Sequence, residues 1–276
     1  MGNKEGDKNM FHGFYNLASG MLYQNRNLNT ISNNMTNVST PGYKSDRLVS
    51  TTFKDEMLYR NGNRNKSNPT QIGSVSMIRS VGVTKTSYNQ GNVEETGNNL
   101  DFALTQPGFF AVQDKDGNRL YTRNGSFGVD QEGYLSLSSQ GRVLGEDGNP
   151  IEMTTDRISV DKSGNIYELP LKGVGGDEEG TESEEEEPVL LGKIGVFNFN
   201  DYTQLVKGNN GTFKATEDGT AVDGGIQWKS IERSNIDPME EMTAMMTSQR
   251  ASQSAAQVLK MYDQLMGKIV SDIGRV

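Results

Sequence analysis

Residues Asn235–Val276 read NIDPMEEMTAMMTSQRASQSAAQVLKMYDQLMGKIVSDIGRV, and their spacing predicts one long helix. Asp237 is placed to cap it, with Pro238 in the first turn and Glu240 three residues after the cap, the spacing that satisfies orphan N–H groups. No further Pro follows and Gly is absent until Gly267, so the helix should run to about Ile273, a rod of ~50 Å. Met245, Ser248, Ser252, Ala255, Leu259, Tyr262, Met266, Ile269 and Ile273 recur at alternating steps of three and four. That is a heptad seam, small in its first half and large in its second.

The same alternation occurs near the other end, at Phe14, Leu17, Met21, Gln24, Leu28, Ile31, Met35 and Val38. Only Gln24 is polar there, and a single polar residue on a seam can fix register at some cost in stability. Two heptad helices bracketing a non-helical middle suggest that the ends meet. The expected class is therefore α+β, with N- and C-terminal heptad helices paired as a coiled coil and a mainly antiparallel β middle. Pattern alone leaves open the plainer alternative of two amphipathic helices packed on one globular core.

The first helix should begin near Phe11 and end near Asn37, where Asn33, Asn34 and Asn37 crowd the last turns and Pro41-Gly42 forces a turn. Residues 1–9 are polar and read as a disordered extension. Residues 10–43 and 235–276 then form the terminal helical domain. Residues 44–80 read as an extended linker, with a helical turn possible at Lys54–Tyr59 and a mobile loop at 60–70. Residues 81–234 read as a β domain of short strands and glycine-bearing turns. Val129–Leu135 has an echo at Val160–Ile166, each a strand, a four-residue turn ending in Gly and another strand, and Glu146–Asn149 is a further such turn. Trp228, the only tryptophan, is expected in the β core.

The 276 residues carry 32 glycines and are 33% hydrophobic, which favours turns and extended structure over one dense core. The net charge of −9 is local: Asp177–Glu187 holds eight acids, and without them 28 acids face 27 bases. This segment, within a glycine-rich acidic insertion at 173–187, should be a disordered, solvated loop. No basic cluster indicates nucleic-acid binding, and no apolar run approaches the ~20 residues of a membrane helix. No cleavable signal is evident.

There is no cysteine, and His12 is the only histidine, so His-based triads and multi-His or thiolate metal sites are excluded within one chain. Asp114, Asp116 and Asn118 resemble the start of a calcium loop, but Arg119 takes the obligatory Gly place and no Glu closes it. A hairpin turn explains them better. No catalytic residue, cofactor site or metal site is expected.

Ser32-Asn33-Asn34-Met35-Thr36-Asn37-Val38-Ser39-Thr40-Pro41-Gly42-Tyr43-Lys44 closely resembles the N-terminal signature of the bacterial flagellar rod and hook proteins. Further matches follow in order: Gln90-Gly91, Thr96–Asp101, Gly108-Phe109-Phe110, Tyr121–Phe127, then Ser234–Asp237, Glu240–Met242 and Gln249–Ala251. The resemblance spans nearly the whole chain, departing at Met1–Asn9 and Gly173–Glu187. It implies a structural subunit, not an enzyme, that polymerises with itself into a helical tube. It also implies export through the flagellar type III apparatus, a place in the basal body outside the cytoplasm, and other rod and hook proteins as partners, without membrane insertion. On this reading Phe14, Leu17, Met21, Leu28, Ile31 and Met35 pack the inner tube with Leu259, Tyr262, Met266 and Ile269. Asn33, Asn34, Asn37, Gly42 and Tyr43 shape the helix end and its turn. Segment Lys44–Ile72 is more similar to that of a distal-rod subunit than of a hook subunit, with a proximal-rod subunit next. A cell-surface β module that binds through exposed aromatics is the rival from another class.

Overall fold

Two helices of 33 and 36 residues, α1 (Lys4–Thr36) and α2 (Pro238–Ile273), enclose the strands in sequence. They belong to a computed structural model that describes residues 4–60, 70–80, 82–138, 140–153, 155, 157–169 and 188–273. The chain divides into two units. One takes the segments up to Asn37, Ser45–Ser87 and Ile236 onward; the other takes Val38–Lys44 and Tyr88–Asn235.

In the first unit α1 packs along α2. The unit also holds β1 (Asp46–Leu48), β2 (Thr51–Arg60), β3 (Thr70–Ser80) and β4 (Thr84–Thr86). β1 pairs with β4 and β2 with β3, both antiparallel. Two sequence expectations change here. Helix α1 starts at Lys4, ahead of Phe11, so Lys4–Asn9 are helical backbone while Met1–Asn3 lie outside the described residues. Lys54–Tyr59 are strand, not a helical turn, because β3 supplies a register partner along β2. The proposed mobile loop lies almost wholly outside the described residues, as do Gly173–Glu187 and the side chain of His12.

The second unit contains β5 (Val93–Glu95), β6 (Phe102–Leu104), β7 (Phe109–Gln113), β8 (Arg119–Thr122), β9 (Gly128–Val129), β10 (Leu135–Leu137), β11 (Gly141–Val143) and β12 (Ile158–Val160). It continues with β13 (Asn165–Glu168), β14 (Val189–Lys193), β15 (Val196–Asn198), β16 (Leu205–Lys207), β17 (Thr212–Ala215), β18 (Thr220–Ala221), β19 (Ile226–Trp228) and β20 (Ser230–Glu232). The main sheet runs β16-β17-β8-β7-β11-β10-β9, with β15 joined to β7 and β18. Smaller sheets are β12-β13-β14, β19-β6 and β20-β5, and every pairing is antiparallel.

Strand β7 explains why this unit needs few long apolar runs. Successive side chains of a strand point to opposite faces. Phe110 and Val112 enter one core with Phe102, Leu135, Val143, Ile158 and Ile166. Phe109 and Ala111 enter another with Tyr121, Phe197, Phe199 and Phe213. Both faces of the sheet are thus buried at its centre.

The turns repeat one device. The N–H of Asp114, Asp130, Gly145 and Asp161 donates to the carbonyl four residues on, at 2.8–3.1 Å. The N–H of Gly117, Gly133, Gly148 and Gly164 donates back to the first residue's carbonyl. Each of these glycines has φ between +76° and +88°, a conformation that glycine adopts without Cβ strain. The echo between Val129–Leu135 and Val160–Ile166 is this turn, and so is the calcium-loop lookalike at Asp114–Asn118. Trp228 is half-buried against the first core and donates Nε1–H to the Asn99 carbonyl at 2.8 Å.

Candidate assembly surface

The seam of α2 faces α1. Asp237 Oδ1 accepts from the Met239 N–H at 2.8 Å and the Glu240 N–H at 3.4 Å, which sets the start of α2. From there Met245, Ser252, Ala255, Leu259, Tyr262 and Met266 are half-buried and Ser248 is buried, while most residues between them are exposed. On α1, Ile31 is buried, Leu17, Met21, Leu28 and Met35 are half-buried, and Phe14 is 37% exposed. At the far end of α2, Ile269 is 42% exposed.

Two polar ties give the register. Asn34 Nδ2 donates to Glu241 Oε1 at 2.8 Å, and Asn27 Nδ2 donates to Ser248 Oγ at 2.9 Å. A step of seven down α1 is a step of seven up α2, so the helices run antiparallel, residue for residue. Gln24, the polar residue noted on the seam, is half-buried, and its Oε1 is buried without a hydrogen-bond partner among the described residues.

The signature asparagines have distinct tasks. Asn33 is exposed, and its carbonyl accepts both the N–H and the Nδ2 of Asn37, closing the last turn of α1. Asn34 is 1% exposed. Its Nδ2 donates to the Asp46 carbonyl at 2.9 Å and its Oδ1 accepts the Asp46 N–H at 3.0 Å, as a neighbouring strand would. One side chain therefore joins the end of α1, strand β1 and the first turn of α2. Asn34→Ala should cost about 1–3 kcal/mol, because it orphans buried donors and acceptors. Amide exchange at Asp46 should accelerate by roughly 10- to 100-fold; an unchanged Asp46 rate would refute this role.

In the other unit the signature leads to a buried hub. The carbonyl of Glu232 accepts the Gly42 N–H at 2.7 Å. Its carboxylate accepts Lys44 Nζ at 2.5 Å, the Gly91 N–H at 2.9 Å and Arg123 Nη1 at 2.9 Å. Lys44, Arg123 and Glu232 are all at most 4% exposed. Lys44 Nζ also reaches the Asn89 carbonyl, and Arg123 Nη2 the Gln106 carbonyl. Burial pushes the Lys44 ammonium below its ordinary pKa, and the Glu232 charge and hydrogen bond oppose that shift. Tyr43 is buried, with the Lys207 ammonium 3.9 Å from its ring centroid, while Lys207 donates to the Lys44 carbonyl. In the sequence Lys44 and Arg123 stand out only as members of longer family-like runs, and Glu232 belongs to none of them. An inward-pointing charge on a short strand gives no periodic signal of its own.

Among the described residues no cluster of His, Asp and Glu could hold a metal ion, and no helix is long and apolar enough to cross a membrane.

Three family models match: flagella basal body rod protein over residues 14–44, flagellar hook protein FlgE/F/G D1 domain over 103–168, and flagellar basal body rod FlgEFG protein C-terminal over 229–272. The flagellar basal-body rod protein FlgG of Buchnera aphidicola subsp. Schizaphis graminum is 30% identical over 266 residues, covering 91% of this chain and 95% of that protein. The chain belongs to the flagellar basal-body rod protein family. FlgG of Bacillus subtilis is 28% identical over 95% of this chain and 99% of its own length. The rod protein FlgF of Caulobacter vibrioides is 26% identical over 97% and 100%. This is a family of structural rod proteins. Each matched segment contributes one member of the rod protein's buried triad: Lys44 from the first, Arg123 from the second, Glu232 from the third.

Proposed function

We propose that this structural rod subunit polymerises through α1 and α2 into the axial shaft of the flagellar basal body. The observation that carries the reading is the unfinished burial of the helix pair. Phe14, Val258, Met261, Leu265, Ile269 and Val270 remain 37–68% exposed, and the buried side-chain Oε1 of Gln24 has no hydrogen-bond partner among the described residues. A stripe of large apolar side chains on a helix pair marks a surface that further helices cover. Neighbouring copies would cover this outer stripe, while Phe14, Leu17, Met21, Leu28, Ile31 and Met35 pack with Leu259, Tyr262, Met266 and Ile269 as the inner layer of the tube, Phe14 and Ile269 at its edge. Asn33, Asn34, Asn37, Gly42 and Tyr43 hold the turn from which the helix departs.

Within the shaft we favour the distal position, with the proximal rod next; curated relatives carry both the FlgG and the FlgF name. Other rod and hook proteins are the neighbours at each end, and the subunit travels through the flagellar type III apparatus to the basal body outside the cytoplasm. Purified protein should form filaments visible by negative-stain electron microscopy, and deleting Val258–Val276 should abolish them while leaving the β unit folded. Filaments that persist in the deletion would remove the terminal helix from the assembly surface. Tagged subunits located along isolated basal bodies decide between distal and proximal rod.

A further inference from the structure

The buried hub of Lys44, Arg123 and Glu232 holds two positive side chains and one carboxylate, and that carboxylate is fully engaged. Glu232 Oε1 accepts Lys44 Nζ and the Gly91 N–H, while Oε2 accepts Arg123 Nη1 at 2.9 Å. Burial, reinforced by the Arg123 charge, lowers the Lys44 pKa, and Glu232 is the carboxylate that opposes the shift. Arg123 is 4% exposed. Its Nη2 donates to the Gln106 carbonyl at 3.1 Å, and its Cζ lies 5.6 Å from the Phe109 ring centroid. Its Nε–H is buried and meets no acceptor among the described residues. A second orphan lies two residues beyond Glu232: Ser234 Oγ is also buried without a partner among them. Between the two, Arg233 reaches the surface and pairs with Glu94. The alternation of an extended chain therefore turns Ser234 to the same side as Glu232.

We propose that this hub is an anion-binding site in which Arg123 Nε–H holds a small monovalent anion, chloride in the first instance. An uncompensated charge and an unpaired donor are each costly in a dry interior, and one anion relieves both. With Lys44 and Arg123 charged and Glu232 ionised, one positive charge is left over, and a monovalent anion balances it. A water molecule would accept from the Nε–H and leave that charge standing. Enclosure selects the ion: a monatomic anion is satisfied by few donors, whereas a carboxylate or phosphate brings further oxygens that each need one. The Ser234 hydroxyl is a second donor on the same side of the chain. The site lies within the β-rich unit and does not depend on how α1 and α2 assemble.

The test uses the full chain. It is unfolded in urea, followed by Trp228 fluorescence, in sodium chloride and in sodium gluconate at equal ionic strength. An anion that binds only the folded unit should raise its folding constant roughly tenfold between zero and about 300 mM chloride. General salt effects run the other way, since gluconate is the more strongly excluded anion. Glu232→Gln removes the competing negative charge at nearly constant shape and should enlarge the chloride gain. Arg123→Lys keeps the charge, lacks the Nε–H and should lose the gain. Crystals of the unsubstituted protein soaked in bromide should show an anomalous peak beside Arg123 Nε. Equal stability in the two salts, a gain that Arg123→Lys retains, or bromide confined to the protein surface each overturns the site. If Arg123→Lys does not fold, Glu232→Gln decides, and a gain no larger than that of the unsubstituted chain overturns it as well. Other hub variants are compared in gluconate, where no such anion fills the site.

Discussion

Glu232→Ala should destabilise the β-rich unit by about 3–5 kcal/mol, because it leaves two cations in a nearly water-free site with no anion. Lys44 and Arg123 both end on this one carboxylate, and the Gly91 N–H loses its acceptor as well. Trp228, the only tryptophan, lies in the same unit and reports its unfolding by fluorescence. With a urea slope of about 1–3 kcal/mol per molar, the midpoint should fall by at least roughly 1 M. A change below about 1 kcal/mol would show that the ion group is hydrated and not a true core element. Replacing Lys44, Arg123 and Glu232 together by apolar residues of similar volume should cost far less than the single substitution, since no charge is then stranded.

The same group predicts a pH response. Burial lowers the Lys44 pKa in the folded protein from the ordinary value of 10.5. Between the lowered and the ordinary value the unfolded chain therefore binds more protons at this residue than the folded one. Stability contributed by Lys44 rises with pH across that window, and its burial cost is fully present below the folded value. In Lys44→Met this slope should vanish, measured as the urea midpoint against pH in alkaline buffers. An identical slope in both proteins would assign the pH response to other groups.

The second large effect is expected at Gly42. Its φ is +67°, and an added Cβ would lie 2.3 Å from both the Arg123 carbonyl carbon and the Asn124 nitrogen. Backbone atoms cannot swing aside as the end of a side chain can. Gly42→Ala thus combines an unfavourable backbone conformation with overpacking, and should cost about 2–4 kcal/mol. Gly97 supplies the control. Its φ is +77°, but nothing lies within 4 Å of an added Cβ. Gly97→Ala should cost only the conformational part, about 1 kcal/mol. Equal costs at the two positions would show that the close approach of the chain at Gly42 contributes nothing. Thermal unfolding of the two variants is sufficient to tell.

The two long helices, the glycine turns and the antiparallel strands were legible in the residues because each is a short-range pattern. Heptad steps, a Pro after a capping Asp, and a Gly at the fourth place of a turn act over a few residues. The strand at Lys54–Tyr59 was not legible in that way, since its backbone is satisfied by Thr70–Ser80 and not by its own neighbours. The start of α1 also extended beyond the apolar seam. Polar residues at the head of a helix carry no periodic apolar signal, so Lys4–Asn9 gave no warning of their conformation.

Sequence alone determined which residues could line each helix, where the chain must turn and which family it resembles, because those depend on side-chain type and local spacing. Tertiary structure alone decided that α1 and α2 run antiparallel in a one-to-one register, that Asn34 completes the β1 backbone, and that Glu232 gathers donors from Gly42, Lys44, Gly91 and Arg123. Those partners stand 109 to 221 residues apart along the chain for the ties Arg123–Glu232, Lys44–Glu232, Asn34–Glu241 and Asn27–Ser248. Hydrogen bonds and ion pairs act over a few ångströms in space, and only the folded path brings such residues within reach.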